Sequence, residues 1–158
     1  MHYNEIKQWL KDELNVEVNF QPVPENPFWG KESRKKFNFL IDLQKGGVLS
    51  SFYFSQGHRT PIPFFRLSII EFEKEKKKLE KEYKNPDLLA LLDCLIMDSR
   101  AVDQSFSEWC SELGYNDDSI KHLKIYENCI KQGEEFFKVF GKNDIEKIEN
   151  LLDQKGYR

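Results

Sequence analysis

The spacing of apolar residues changes from helical to alternating within the first twenty residues. Residues 3–14 carry an apolar stripe at intervals of three and four, formed by Ile6, Trp9, Leu10 and Leu14. This spacing predicts a helix over 3–14. The run after it alternates between apolar and polar positions, which predicts a short strand over 16–20.

A β-hairpin is predicted over residues 36–54. Apolar residues recur at every second position in two runs, whose inward members are Phe37, Phe39, Ile41, Leu43, Val48, Ser50, Phe52 and Phe54. Lys45-Gly46-Gly47 separates the runs, and its glycines tolerate the positive φ of a tight turn. With the strand at 16–20, the hairpin predicts an antiparallel sheet of two or three strands, one face of which needs cover.

Two segments flank this hairpin. Residues 21–34 contain prolines at 22, 24 and 27 and a glycine at 30, which predicts a loop. Residues 69–83 predict a charged helix, because Glu73 and Lys77 are four apart in the favourable order and the apolar stripe is narrow. We expect this helix to project from the body of the protein.

Residues 86–154 predict a helical bundle. We place Asn85 at the N-cap and Pro86 at the first position of a helix that is apolar almost all round and therefore buried. Ser105 and Glu108 have the spacing of a capping box. Gly114 is expected to end that short helix in the left-handed conformation.

A long helix is expected to follow, capped by Asn116 or Asp117 and ended by Gly141. The apolar stripe assigned to it is Ile120, Leu123, Tyr126, Ile130, Phe137 and Phe140. A last helix begins within 143–146. The predicted architecture is thus α+β, a small antiparallel sheet covered by a C-terminal helical bundle, in a single domain of residues 1–158.

Composition and charge narrow the class of protein. The net charge is −3 and aromatic residues make up 14%, so the chain has a hydrophobic core and no global field for nucleic acid or anionic membrane. Charge is uneven: residues 1–84 hold 15 Lys/Arg against 12 Asp/Glu, and residues 85–158 hold 9 against 15. Three cysteines without a CxxC pair indicate buried, reduced thiols of a cytoplasmic protein. No run of apolar residues predicts an export signal or a membrane span.

The chain carries no sequence motif that identifies a catalysed reaction. Its three histidines lie apart from each other and from metal-ligand spacings, and no HExxH, EF-hand loop or phosphate-binding glycine loop occurs. We therefore expect no metal, no cofactor and no enzymatic activity. A pair of carboxylates brought together by folding stays open as a cryptic acid–base site, because sequence spacing does not exclude it.

Several polar residues are candidates for binding a partner. They are His58 and Arg59 after the hairpin, Lys74, Lys77 and Lys78 on the charged helix, and Asp117 and Asp118 before the long helix. A solvated surface role is favoured for His58 and Arg59, because a turn at Gly57 explains this segment, and for the lysines, because glutamates surround them. With Arg34, Lys35 and Lys36, the basic residues form an alternative nucleic-acid-binding set. Asp98 is expected to pair with Arg100 or to cap the helix that follows.

A set of short motifs in the C-terminal half resembles a family of small uncharacterised proteins of tailed phages and prophages. The motifs are Leu92-Asp93-Cys94-Leu95, Phe106 to Cys110 (FSEWC), Gly114 to Ser119 (GYNDDS) and Tyr126 to Cys129 (YENC). The resemblance covers roughly Phe37 to Gly141 and leaves out the charged helix and both terminal helices. It implies a fold and a phage setting, and it brings no catalytic residues with it.

The resemblance and the absent reaction motifs lead to one functional expectation. We expect a non-enzymatic interaction protein in the cytoplasm of a bacterial host. Its partner would be a host or phage protein, such as a defence nuclease complex that it inhibits by occluding a surface, as anti-CRISPR proteins do. The alternative is a nucleic-acid-binding accessory protein of phage replication or regulation. The oligomeric state stays open.

Overall fold

A computed structural model of the chain describes residues 3–23, 38–55 and 86–158. The elements are helix α1 (Tyr3–Leu14), strands β1 (Glu17–Val23), β2 (Asn38–Lys45) and β3 (Val48–Ser55), helix α2 (Leu88–Ser99), a 3₁₀ helix (Arg100–Asp103), and helices α3 (Phe106–Leu113), α4 (Ile120–Val139) and α5 (Lys142–Gln154). The predicted α+β class is confirmed.

The chain divides into two compact units. Among the described residues, α1 and the three strands belong to the N-terminal unit, and the chain from Leu89 onward belongs to the C-terminal unit. Each unit is treated below by itself. The expectation of a single domain over residues 1–158 stays a prediction.

The sheet of the N-terminal unit is antiparallel, with strand order β1-β2-β3. Phe39 pairs with Phe54, and Ile41 lies between Phe20 on β1 and Phe52 on β3. These alternate positions point to one face, as the period of two requires, and Ile41 is fully buried there. Gly46 and Gly47 connect β2 to β3 with φ angles of +57° and +83°, the signature of a tight hairpin turn.

Helix α1 packs against β1 through the stripe that its spacing predicts. Ile6, Leu10 and Leu14 are buried, and the ring of Tyr3 lies 5.8 Å from that of Phe20. Each buried aliphatic side chain of this size contributes about 1.5–3 kcal/mol to folding. The helix at 3–14 and the hairpin are therefore confirmed where the structure describes them.

Two expectations for the sheet need correction. Strand β1 continues to Val23, so it includes Gln21, Pro22 and Val23, which were assigned to the loop. Pro22 is compatible with this because β1 pairs with β2 alone among the described strands, and proline is tolerated on an edge strand. Val48 is 39% exposed rather than inward, since it directly follows the turn.

The C-terminal unit is helical, and its core forms where the long helix α4 crosses the 3₁₀ helix. Gly133 marks the crossing, because a Cβ atom built there would lie 3.0 Å from the carbonyl oxygen of Ser99. The absence of a side chain thus allows the two backbones to approach closely. Helix α2 is apolar and largely buried, as predicted, and α5 buries Ile148, Leu151 and Leu152.

Several helix boundaries differ from their predictions. Helix α2 begins at Leu88, so Pro86 precedes the helix and does not occupy its first position. Ser119, rather than Asn116 or Asp117, is the N-cap of α4, and its hydroxyl accepts the His122 N–H at 3.3 Å. Helix α4 ends at Val139, and Gly141 is the N-cap of α5.

The buried face of α4 is also not the one predicted. Helix α4 buries Cys129, Gly133, Phe136 and Val139. Ile120, Leu123 and Phe137 are 73%, 37% and 40% exposed. The stripe was therefore wrong at these three positions, although Phe140 is buried as expected. The loop after Val23 and the charged helix over 69–83 lie outside the described residues.

Candidate functional site

Aromatic residues of three of the four motifs in the C-terminal half meet in one cluster. Trp109 is 3% exposed, and its ring centroid lies 5.1 Å from that of Tyr115 and 5.5 Å from that of Tyr126. Phe106 completes the cluster at 5.3 Å from Tyr126. The Tyr126 hydroxyl donates to the Gln104 carbonyl oxygen. The FSEWC, GYNDDS and YENC motifs therefore supply packing groups that hold α3 against α4.

Local hydrogen bonds hold helix α3 at both ends. The Ser105 hydroxyl accepts the Glu108 N–H at 3.2 Å, which confirms Ser105 as the N-cap. Gly114 ends the helix with φ of +73°, as predicted. The Tyr115 N–H then donates to the Cys110 carbonyl oxygen at 2.8 Å and satisfies one carbonyl of the last turn.

The turn between α3 and α4 is built by short-range hydrogen bonds. The Asn116 side-chain oxygen accepts the Asp118 N–H at 2.9 Å, and the Asn116 N–H donates to Nδ1 of His122 at 3.1 Å. The His122 ring also stacks on Tyr115, with ring centroids 4.5 Å apart. The turn is therefore fixed to both helices that it connects.

This fixed turn presents acidic and apolar side chains to solvent. We call Leu113, Asp117, Asp118, Ile120 and Leu123 the turn surface. Asp117 and Asp118 are exposed, and Leu113 is 41% exposed. Ile120, at 73%, is the most exposed of the large hydrophobic residues that the structure describes. Exposed apolar side chains next to charges on a rigid support are typical of protein-binding surfaces.

The buried thiols of this unit are poorly suited to nucleophilic chemistry. Burial, reinforced by the Asp98 carboxylate, raises the pKa of the Cys129 thiol from 9.0 to about 12. Burial, with the Asp117 carboxylate adding to it, also raises the pKa of Cys110. Both thiols are free and buried, whereas Cys94 is half-buried. The thiolate is the nucleophilic form of cysteine, and a raised pKa keeps the thiol protonated. Both cysteines are therefore expected to be unreactive residues of the core.

A cleft of about 250 Å³ opens beside the turn surface, between the end of α2 and helix α3. We call it the α2–α3 cleft. Trp109, Tyr115, Asp98 and Glu112 are among the residues that line it. Asp98 is 6% exposed. Leu113 belongs to both the cleft and the turn surface, so the two are continuous.

An ion-pair network joins the helices of this unit. Arg158 contacts the Asp93 Oδ1 at 2.8 Å and the Glu149 Oε1 at 3.1 Å. Arg100 reaches the same Glu149 oxygen at 3.3 Å. The Arg100 guanidinium is therefore drawn toward α5, and Ser99, not Asp98, is the N-cap of the 3₁₀ helix.

Of the predicted binding residues, the structure describes two. Asp117 and Asp118 lie together in the turn surface. His58, Arg59, Lys74, Lys77 and Lys78 lie outside the described residues, as do Arg34, Lys35 and Lys36. The nucleic-acid alternative, which depends on these basic residues, stays a prediction.

Sequence reasoning missed the apolar part of the turn surface and the α2–α3 cleft. Ile120 and Leu123 match a buried helical stripe, and their exposure follows from the face that α4 turns inward. Asp98 was treated as a cap or ion-pair partner, and its place in the cleft depends on tertiary packing. The GYNDDS motif did indicate a turn that carries the acidic pair Asp117 and Asp118. This part of the turn surface could be predicted because it depends on residues that are close in sequence.

Within residues 3–23, 38–55 and 86–158, no three His, Cys, Asp or Glu side chains are arranged to hold a metal ion. None of the helices described there has the length and apolar character needed to cross a membrane. No family model matches the chain, and comparison with curated proteins and with solved structures also finds no match. The resemblance to phage and prophage proteins therefore stays a prediction.

Proposed function

We propose that the chain is a non-enzymatic interaction protein whose C-terminal unit binds a protein partner through the turn surface. The observation that carries the proposal is the exposure of Ile120 and Leu123 beside Asp117 and Asp118 on a turn that both neighbouring helices hold in place. A rigid apolar anchor loses little conformational entropy when it binds, so more of its contact energy appears as affinity.

Charge supports the same assignment and suggests the chemistry of the partner. Residues 89–158, the described part of the C-terminal unit, hold 9 Lys/Arg against 14 Asp/Glu, a net charge of −5. This unit is therefore repelled by nucleic acid and attracted to basic protein surfaces. Asp117 and Asp118 place part of this negative charge next to the apolar anchor. The proposed partner thus presents a basic patch around an apolar depression.

The proposal extends to the setting that the phage resemblance implies. The partner would be a host or phage protein in the bacterial cytoplasm, and a defence nuclease complex is the leading class. Such complexes carry basic surfaces for nucleic acid, which an acidic protein can occupy. Occlusion of that surface requires contact residues and no chemistry in the bound chain.

The test is affinity capture from a lysate of the cells in which the chain is expressed, with variants of the full-length protein. The wild-type chain should retain a stoichiometric partner, and the double substitution Asp117→Lys with Ile120→Glu should release it. Asp117→Lys places a positive charge against the basic patch, and Ile120→Glu places a charge in the apolar depression, so we expect at least about a hundredfold loss of affinity.

Two controls make the capture specific to the turn surface. Asp153→Lys changes an exposed carboxylate of α5 in the same unit, and Leu49→Glu removes an exposed leucine of β3 in the other unit. Both variants should retain the partner. Absence of a stoichiometric partner with the wild-type chain, or equal retention by the double variant, would contradict the proposal.

A further inference from the structure

The imidazole ring of His122 packs against the turn that carries the turn surface. It stacks on the Tyr115 ring at an interplanar angle of 18°, with ring centroids 4.5 Å apart. The backbone N–H of His122 donates to the hydroxyl of Ser119, the N-cap of α4. Because His122 is half-buried, packing orders the residue and still leaves it some accessible surface.

One nitrogen of this ring is close to both polar groups of the Asn116 backbone. Nδ1 of His122 lies 3.1 Å from the Asn116 nitrogen and 3.2 Å from the Asn116 carbonyl oxygen. A ring nitrogen without a proton accepts a hydrogen bond, whereas a protonated one donates. Nδ1 therefore accepts the Asn116 N–H when it has no proton and donates to the Asn116 carbonyl oxygen when it has one.

The two states satisfy the Asn116 backbone unequally. The carbonyl oxygen of Asn116 already accepts the Ser119 N–H at 3.2 Å. When Nδ1 accepts, the N–H and the carbonyl oxygen of Asn116 each have a partner. When Nδ1 donates, the carbonyl oxygen has two donors and the N–H has lost its acceptor on the ring. We therefore expect the neutral ring to accept, whereas an imidazolium carries a proton on both nitrogens and only donates.

Asn116 connects the ring to the residues of the turn surface. Its side-chain oxygen accepts the Asp118 N–H at 2.9 Å, and its carbonyl oxygen accepts the N–H of Ser119, with which α4 begins. The bond from the Asn116 N–H to the ring holds this residue in place. Loss of that bond therefore loosens the support of Asp117, Asp118 and the first turn of α4.

Protonation of the ring also changes the charge of the turn surface. Asp117 and Asp118 of the turn attract an imidazolium, whereas Lys121 and the N-terminal end of the α4 dipole repel it. Tyr115 and Cys110, whose backbones are hydrogen-bonded, are the titratable groups on the α3 side, and phenols and thiols lose their protons only at about pH 8.5 or above. An imidazolium thus adds one positive charge beside two carboxylates, which weakens the attraction to a basic partner.

We propose that His122 makes the turn surface pH-sensitive. The neutral ring holds the turn in its binding form, and the protonated ring releases the Asn116 N–H and weakens the contact with the partner. The inference rests on the proposed function, because it concerns the regulation of the same surface. Imidazole takes up its proton between about pH 8 and about pH 5, so the affinity decreases as the pH falls through this range. The expected decrease is about three- to tenfold, the range that one hydrogen bond represents.

The first experiment is an NMR titration of the full-length, ¹⁵N-labelled chain without a partner, from about pH 8 to about pH 5. The ring nitrogen signals of His122 report whether Nδ1 carries a proton. Solvent exchange of the Asn116 amide, expressed as a protection factor to remove the intrinsic effect of pH, reports the hydrogen bond. We expect an unprotonated Nδ1 at the upper pH and an about fivefold loss of protection as the ring takes up its proton.

Substitutions assign the effect to one ring. His122→Phe keeps an aromatic ring against Tyr115 without a nitrogen, so the Asn116 amide should be weakly protected at every pH in the range. His122→Gln has no group that titrates there, so its protection should be constant, and this variant decides the outcome if His122→Phe does not fold. His58→Gln is the matched control, because it removes another histidine and should behave as the wild type does. Carboxylates take up protons at about pH 4, below the titrated range.

Three results would overturn the inference: a proton on Nδ1 of the neutral His122 ring, unchanged protection of Asn116 while the ring is protonated, or the wild-type pH dependence in His122→Gln. None of them needs a partner, so they are separable from the capture experiment. With the captured partner, the wild type should bind more weakly at about pH 5.5 than at about pH 8, and His122→Gln should show a smaller difference. Equal affinities of the wild type at the two pH values would also contradict the inference, although capture itself had succeeded.

Discussion

Gly133 is the position where a single methyl group gives the sharpest test of the C-terminal unit. A Cβ atom there would lie 2.5 Å from Val102 Cγ2, 3.0 Å from the Ser99 carbonyl oxygen and 3.1 Å from the Ser99 Cα. Val102 is 36% exposed, so its side chain can turn aside. The Ser99 backbone belongs to the end of α2 and yields only if that helix moves.

The expected effect of Gly133→Ala is the difference of two opposing contributions. Alanine gains about 1 kcal/mol over glycine in a helix interior. Overpacking of a close helix contact costs about 1–3 kcal/mol, and the contacts to the Ser99 backbone, which no side-chain rotation relieves, place this case at the upper end. We therefore predict a net loss of about 1–2 kcal/mol in the free energy of unfolding. For a chain of this size, that corresponds to a decrease in Tm of about 2–8 °C.

Urea denaturation followed by far-UV circular dichroism measures this loss. A second variant, Gly133→Ala with Val102→Ala, removes the closest contact and leaves the Ser99 contacts in place. It should recover at least about 0.5 kcal/mol relative to the sum of the two single substitutions. If Gly133→Ala is as stable as the wild type or more stable, helix propensity dominates and the close approach of α4 to Ser99 is wrong.

Three further predictions concern the cap, the buried thiol and the ion pair. Ser119→Ala should lower the unfolding free energy by about 1 kcal/mol, because α4 loses its N-cap hydroxyl, whereas Ser119→Asp should stay within about 0.3 kcal/mol; urea titration distinguishes them. The Cys129 pKa is raised by burial from 9.0 to about 12, so folding favours the protonated thiol and its contribution declines as pH rises through that interval. The stability of the wild type relative to Cys129→Ala should therefore decrease from pH 9.0 upward in pH-dependent thermal denaturation, and a constant difference would contradict the burial. For Arg158 and Asp93, whose side chains are about one quarter exposed, a double-mutant cycle with alanine should give a coupling of about 0.5–1 kcal/mol that decreases in high salt, and a coupling independent of salt would exclude the ion pair.

Local signals predict the elements whose stabilising contacts lie close in sequence. Helix α1 shows its buried stripe directly, and the hairpin is set by two glycines between alternating runs. Ser105 and Gly114 bound α3 through hydrogen bonds to residues within five positions. These features follow from the backbone chemistry of caps and turns, so they do not require knowledge of the tertiary structure.

The face of α4 could not be predicted in the same way. Its inward stripe passes through Gly133, which carries no apolar signal, and the close approach at that glycine determines the rotation of the helix. Ile120 and Leu123 supply a stronger apolar pattern but lie on the first turn, where they are exposed. A stripe chosen by hydrophobicity alone therefore assigns these exposed residues to the core.

The candidate site likewise has one part that local sequence signals predict and one part that depends on tertiary packing. Asp117 and Asp118 were found because acidic residues in a capped turn are visible in the sequence. The α2–α3 cleft was not found, because its lining residues, such as Asp98 and Glu112, are separated along the chain and come to one cleft only through tertiary packing.

Hydrogen exchange of the full-length chain, alone and in complex with its captured partner, tests the central claim most directly. The account predicts that binding slows the exchange of amides over residues 113–123, where the turn surface lies, because contact excludes water from an already ordered turn. Exchange in α1 and in the strands should not change. Protection confined to those elements, with residues 113–123 unaffected, would contradict the claim that this turn is the contact surface.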